Sequence, residues 1–103
     1  MNPVGSQRSA WQSRKVRVMR RGPAGRSAVA ILTTRPGALD AATKQAIAIA
    51  LSVLSKCEPC VKHHTEKARQ MGFSQAEIDE AAWMAIAFGG SPTKMFYSKL
   101  QGS

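Results

Sequence analysis

The first 39 residues of this chain contain no aspartate or glutamate. They hold eight of its 15 basic residues: Arg8, Arg14, Lys15, Arg17, Arg20, Arg21, Arg26 and Arg35. Residues 40–103 set seven basic residues against six acidic ones, so the net charge of +9 belongs almost wholly to one end. A charge confined in this way does not make the whole protein a nucleic-acid binder. Only Trp11 interleaves the basic residues with an aromatic ring. Cysteine is equally scarce. The two present, Cys57 and Cys60, are too close in sequence to staple a secreted scaffold, and a C-x-x-C pair reads instead as redox-active or metal-binding. No apolar run approaches the roughly 18 residues of a membrane span. These absences leave a cytoplasmic, mostly helical protein of one domain as the expected class, with no membrane partner.

Residues 1–36 form the first region. They are rich in Arg, Ser, Gly and Pro and read as a basic, flexible extension. The Arg20-Arg21 pair is similar to a twin-arginine export signal, and the acid-free start also fits an organellar transit peptide. The five-residue run Ala28–Leu32 is too short for the apolar region of an export signal. That run reads as a short strand or as a segment packed on a helical body.

Order is expected over residues 37–103. Asp40 is a good N-cap, and Ala41 to Lys56 has no Gly or Pro. Gln45, Ile49, Ser52 and Lys56 fall on one stripe of this helix. A second helix opens at Cys57, tolerates Pro59 in its first turn, and stops at Gly72. Its inner face is predicted to be Cys57, Cys60, Val61, His64, Ala68 and Met71, with Glu58 and Lys62 paired outside. Ser74-Gln75-Ala76-Glu77 is a capping box for a third helix, whose core stripe is Ile78, Ala81, Ala82, Ala85 and Ile86. Trp83, Met84 and Phe88 make its far end apolar all round. With Phe96 and Tyr97, the aromatic residues Trp83 and Phe88 are expected in the core or a subunit interface. Gly89-Gly90 ends this helix, and Ser91-Pro92 is expected to cap a short last one. The ordered part holds about 64 residues, and a domain so small buries only about 60% of its unfolded surface. Self-association is therefore expected.

The run Cys57-Glu58-Pro59-Cys60-Val61-Lys62-His63-His64 contains every cysteine and histidine of the chain. On a helix, Cys57, Cys60 and His64 share one face, while His63 points about a quarter turn away. A cysteine in a first helical turn feels the positive end of the helix dipole, and a nearby imidazolium favours its thiolate further. Cys60 has both neighbours. Cys57 can then close a disulfide on an oxidised Cys60, the logic of a two-cysteine peroxidase or a disulfide oxidoreductase. Zinc held by the cysteines and histidines is an alternative, although both histidines come from one helix on different faces. Inert buried cysteines are another. A third is a basic nucleic-acid binder with incidental cysteines, marked by steep salt dependence.

Gly37-Ala38-Leu39-Asp40, Thr43-Lys44-Gln45-Ala46-Ile47-Ala48-Ile49-Ala50, the Cys57/Cys60/His64 spacing, Gly72 with Ser74-x-x-Glu77-Ile78, and Gly89-Gly90 together carry a resemblance. Over residues 37–98 the chain resembles the carboxymuconolactone decarboxylase superfamily, and within it the alkyl hydroperoxidase D-like branch. The resemblance implies an all-α fold, a small antiparallel helical bundle assembled as dimers, trimers or hexamers. It implies a thiol peroxidase or disulfide reductase, with a peroxide or disulfide as substrate and a lipoyl or thioredoxin-like dithiol as reductant. No cofactor is expected. By the same resemblance Cys60 attacks peroxide, Cys57 resolves, and His64 relays the proton. That branch has a glutamate base twelve residues before the first cysteine, where this chain has Gln45. An amide cannot take up a proton, so Glu58 or Glu80 would have to serve, or the reaction would be an exchange that needs no strong base.

Overall fold

The computed structural model describes residues 25–101. Trp11 and the Arg20-Arg21 pair, with the targeting readings placed on it, lie outside the described residues. Five helices follow in order: α1 (Arg26–Thr34), α2 (Ala41–Leu54), α3 (Glu58–Gln70), α4 (Gln75–Gly89) and α5 (Ser91–Gln101). No strand occurs among the described residues, and the fold is all-α. The chain divides into two units, Met1–Lys44 and Gln45–Ser103.

In the first unit, the apolar run Ala28–Leu32 is helical and lies within α1, not in a strand. Hydroxyl groups close its last turn: Thr33 donates to the Val29 carbonyl at 2.8 Å and Thr34 to the Ala30 carbonyl at 2.6 Å. The Lys44 ammonium donates to the carbonyls of Leu32 (2.6 Å) and Arg35 (2.9 Å). A cation at a helix C-terminus satisfies orphan acceptors and complements the dipole. Asp40 caps α2 as its position predicts, with its carboxylate accepting from the Thr43 N–H at 2.7 Å. Hydrogen bonding to Thr43 holds the Asp40 carboxyl below its ordinary value.

The second unit has one core. It is built from Ile49 and Val53 of α2, Val61 and Ala68 of α3, Ile78, Ala81, Ala82, Ala85 and Ile86 of α4, and Tyr97 of α5. The α4 set is the stripe its sequence predicts, because apolar side chains at helical spacing share one face. Small residues dominate that stripe and let neighbouring helices approach. At the end of α4 there is no room for a side chain, because a Cβ built on Gly89 would collide with the Thr93 hydroxyl and come within 2.9 Å of Leu54 Cδ1. The Tyr97 hydroxyl donates to Asp79 at 2.7 Å and ties α5 to α4. Burial, with that bond to a carboxylate, pushes the phenol well above its ordinary value of 10.0.

The other end of α4 begins with both halves of the capping box. The Glu77 N–H donates to Ser74 Oγ at 3.1 Å, and the Ser74 N–H donates to Glu77 Oε1 at 2.7 Å. Helix α5 begins at Ser91 itself, and the Gly90 carbonyl accepts the Lys94 N–H at 3.1 Å. Tyr97 enters the core and Phe96 packs against it, whereas Trp83 and Phe88 are 53% and 81% exposed. The latter two are not core residues. With α2, the exposed side of α4 forms an apolar groove of about 350 Å³, floored by Ala46, Ala50, Ala81 and Ala85 and walled by Leu51, Met84 and Phe88. No helix among the described residues is long and apolar enough to cross a membrane.

Candidate functional site around Cys57 and Cys60

The cysteine pair sits where two helices are joined by three residues. Just past the end of α2, Lys56 takes φ 56°, a left-handed conformation. The Lys56 N–H donates to the Val53 carbonyl at 3.1 Å, and the Cys57 N–H donates to the Ser52 carbonyl at 3.2 Å. This pair of bonds is the Schellman C-cap. It recurs one helix later, where the Gly72 N–H donates to Arg69 and the Phe73 N–H to Ala68. There a glycine at φ 98° takes the left-handed position without steric cost. Lysine does so at a cost of roughly 1–2 kcal/mol.

Cys57 therefore completes one helix and starts the next. Its backbone is extended (φ −99°, ψ 100°), its sulfur accepts the Cys60 N–H at 3.3 Å, and its carbonyl accepts the Val61 N–H at 2.9 Å. It is the N-cap of α3, one residue outside the helix it was expected to open. Pro59 stands in the first turn, where a missing N–H leaves nothing unpaired. Cys57 and Cys60 are joined by a disulfide with their Cα atoms 5.2 Å apart. Both cysteines are half-buried.

His64 lies one turn beyond Cys60 and is half-buried, with Nδ1 buried and lacking a hydrogen-bond partner. Burial, with the nearby His63 and Lys67, holds its imidazole below the ordinary value of 6.5. Its neutral form therefore prevails at pH 7, and a neutral imidazole can accept a proton. His63 is exposed, as its place on the helix predicts, with its ring 5.0 Å from that of His64 and nearly perpendicular.

Gln45 is buried on α2, and its side-chain N–H donates to the main-chain carbonyl of His64 at 2.8 Å. The residue thus braces α3 at the histidine. Of the carboxylates that could stand in for a base there, Glu58 pairs with Lys62 at 3.0 Å on the exposed side of α3, and Glu80 is exposed on α4. The inner face of α3 differs from expectation at two positions. Thr65 is buried and Met71 is exposed, because the chain leaves the helix at Met71 and the turn at Gly72 carries that side chain outward. Sequence reasoning also missed Ser52, whose carbonyl positions Cys57. A serine on an apolar stripe does not reveal which main-chain donor its carbonyl will meet.

Comparison with known proteins identifies the fold. The carboxymuconolactone decarboxylase family model matches residues 18–99. An uncharacterized protein of Cupriavidus necator is 38% identical over 66 residues, which cover 64% of this chain and 58% of that protein. The protein named "Uncharacterized protein 4 in cox locus" of Paracoccus denitrificans is 43% identical over 49 residues, covering 48% of this chain and 44% of that one. The chain thus spans about half the length of these curated relatives. Among solved structures, a carboxymuconolactone decarboxylase family protein of Legionella pneumophila in its apo form superposes with a TM-score of 0.65 at 28% identity, covering 92% of this chain and 81% of that one. A Thermotoga maritima protein gives the same score and identity over 94% and 88% of the two chains. A family model that accounts for most of the sequence, and a helical frame shared with these structures, show that the chain belongs to the carboxymuconolactone decarboxylase family.

Proposed function

We propose that the protein is a dithiol–disulfide oxidoreductase of the alkyl hydroperoxidase D-like branch, cycling Cys57 and Cys60 between dithiol and disulfide. The observation that carries this reading is the pairing of the two cysteines at the start of α3, one turn from His64. Oxidation by a peroxide or a disulfide would close the pair, and a lipoyl or thioredoxin-like dithiol would reopen it. His64 serves as proton acceptor and Gln45 as its brace. The working unit is the helical region 37–103, in a reducing compartment such as the cytoplasm. The exposed apolar side of α2 and α4 supports self-association, since small single domains leave much apolar surface uncovered.

The test is intact mass measurement of the reduced protein after brief exposure to a stoichiometric alkyl hydroperoxide and, separately, to oxidised glutathione. Rapid loss of two hydrogens with either oxidant, abolished by Cys57→Ser or Cys60→Ser, is the expected result. No change, or only slow addition of oxygen atoms, would overturn the reading.

A further inference from the structure

The surroundings of the two sulfurs differ, and the difference assigns them separate tasks. Main-chain bonds hold Cys57 on both sides: its N–H is held by the Ser52 carbonyl and its carbonyl by the Val61 N–H. Neither bond depends on the disulfide, so the main chain of Cys57 keeps its N-cap conformation when the pair is reduced. There the sulfur accepts the Cys60 N–H, one of the donors that a helix N-terminus leaves unpaired. An anionic sulfur is a stronger acceptor than a neutral one and lies at the positive end of the α3 dipole. Pro59 contributes no N–H, so the N–H of Cys60 is the one the turn directs at the sulfur.

Cys60 is placed otherwise. It is the third residue of the helix, and the main-chain donor in its turn is committed to Cys57. Its neighbour along the helix face is His64, whose Nδ1 is buried without a partner. The first-turn geometry therefore favours a thiolate at Cys57, whereas Cys60 lies one helical turn before His64. Gln45 cannot supply a carboxylate, and a thiolate made by the N-cap needs none.

We infer that Cys57 is the nucleophile that attacks an external disulfide, and that Cys60 resolves the resulting mixed disulfide. This reverses the order of attack that the family resemblance implies, and it rests on the dithiol reading proposed above. In the first step the Cys57 thiolate attacks one sulfur of a disulfide R–S–S–R′. The Cys57–S–R bond forms, the S–S bond breaks, and R′–S⁻ leaves to take a proton from water. In the second step Cys60 gives its proton to His64, and its thiolate attacks Cys57 Sγ. The Cys57–Cys60 bond forms and R–S⁻ leaves, taking the proton from His64. The pair loses two electrons, and the external disulfide gains them as two thiols.

The experiment compares reduced full-length Cys60→Ser, which retains Cys57, with Cys57→Ser, which retains Cys60. Serine is itself a favoured N-cap, so Cys57→Ser keeps the start of α3. Each variant is mixed with excess oxidised glutathione at neutral pH, and the mixed disulfide is followed by intact mass. The same reaction in denaturant supplies the rate of each cysteine without its environment. Relative to that reference, Cys57 should react about tenfold faster than Cys60, the gain expected from a larger thiolate fraction. Equal rates, or a faster Cys60, overturn the assignment. The wild-type chain separates the two levels of the argument. If it still loses two hydrogens with oxidised glutathione while the variants rank the other way, the oxidoreductase reading stands and this order of attack falls. If the folded wild type is inert to oxidised glutathione, this order of attack falls, and if it is inert to alkyl hydroperoxide as well, both fall.

Discussion

Gln45 on α2 donates its side-chain N–H to the main-chain carbonyl of His64 on α3, at 2.8 Å. A carboxylate in the same place would face an acceptor with no proton to offer it. Gln45→Glu therefore pulls in two directions. The new group is buried against a carbonyl, so its protonated form is favoured in the fold and its pKa rises above the ordinary carboxyl range. Protons are then bound more tightly by the folded chain. The variant is most stable at acid pH and loses stability as the pH rises through the elevated value, ending about 1–3 kcal/mol below wild type. On the dithiol reading proposed above, its reaction with peroxide should nonetheless speed up once the pH passes that elevated value, where the carboxylate can accept a proton. Denaturant titrations across pH check the first statement. An unchanged peroxide rate would argue against a relay through this position.

Lys56 occupies a conformation suited to glycine, as its counterpart Gly72 illustrates. Lys56→Gly should raise the unfolding free energy by about 1 kcal/mol, the left-handed penalty less the extra chain entropy of glycine. Its denaturation midpoint would move upward without a change in slope. A lower midpoint would mean that the lysine side chain contributes more than its backbone costs.

Gly89 is closely packed against Thr93 of α5 and Leu54 of α2. Gly89→Ala should cost about 1–3 kcal/mol, since the added methyl collides with Thr93 and crowds Leu54. Thr93→Ala in the same chain should recover part of that loss. A double-mutant cycle measures the coupling, and strict additivity would contradict it.

His64 is held below its ordinary value of 6.5. The unfolded chain therefore binds the proton more readily, and stability is full above pH 6.5 and declines as the pH falls toward the folded value. His64→Gln should flatten this dependence. Chemical denaturation on either side of pH 6.5, wild type against variant, reads it directly.

Tyr97 is the chain's one tyrosine, so its ionisation is spectroscopically isolated. With its phenol pushed far up, absorbance of the phenolate should emerge only together with alkaline unfolding. The folded chain keeps the proton longer, so stability falls as the pH rises past the ordinary phenol value of about 10. Tyr97→Phe removes this dependence and costs about 1–2 kcal/mol for the lost bond to Asp79.

Much of this protein was determined by sequence alone, wherever a local rule acts without competition. The Asp40 cap, the Ser74/Glu77 box, the stop at Gly72 and the α4 stripe depend on residues within one or two turns, and each formed as its pattern dictates. The nearness of Cys57, Cys60 and His64 is of the same kind, because a single helix start sets it. Other features arose only in the tertiary structure. Ala28–Leu32 carries too few residues to distinguish strand from helix by periodicity, and it became α1. Trp83 and Phe88 read as core or subunit interface, and only the structure placed them outside the core, because the one face of α4 turned inward is filled by smaller side chains. The N-cap role of Cys57 required Lys56 to turn left-handed and Ser52 to accept its N–H, and no residue in that link announces such a turn. Gln45 met the His64 carbonyl, nineteen residues further along the chain, only because α2 and α3 were brought together by their apolar faces. Side-chain type determines which bonds are possible, and packing determines which partner is within reach.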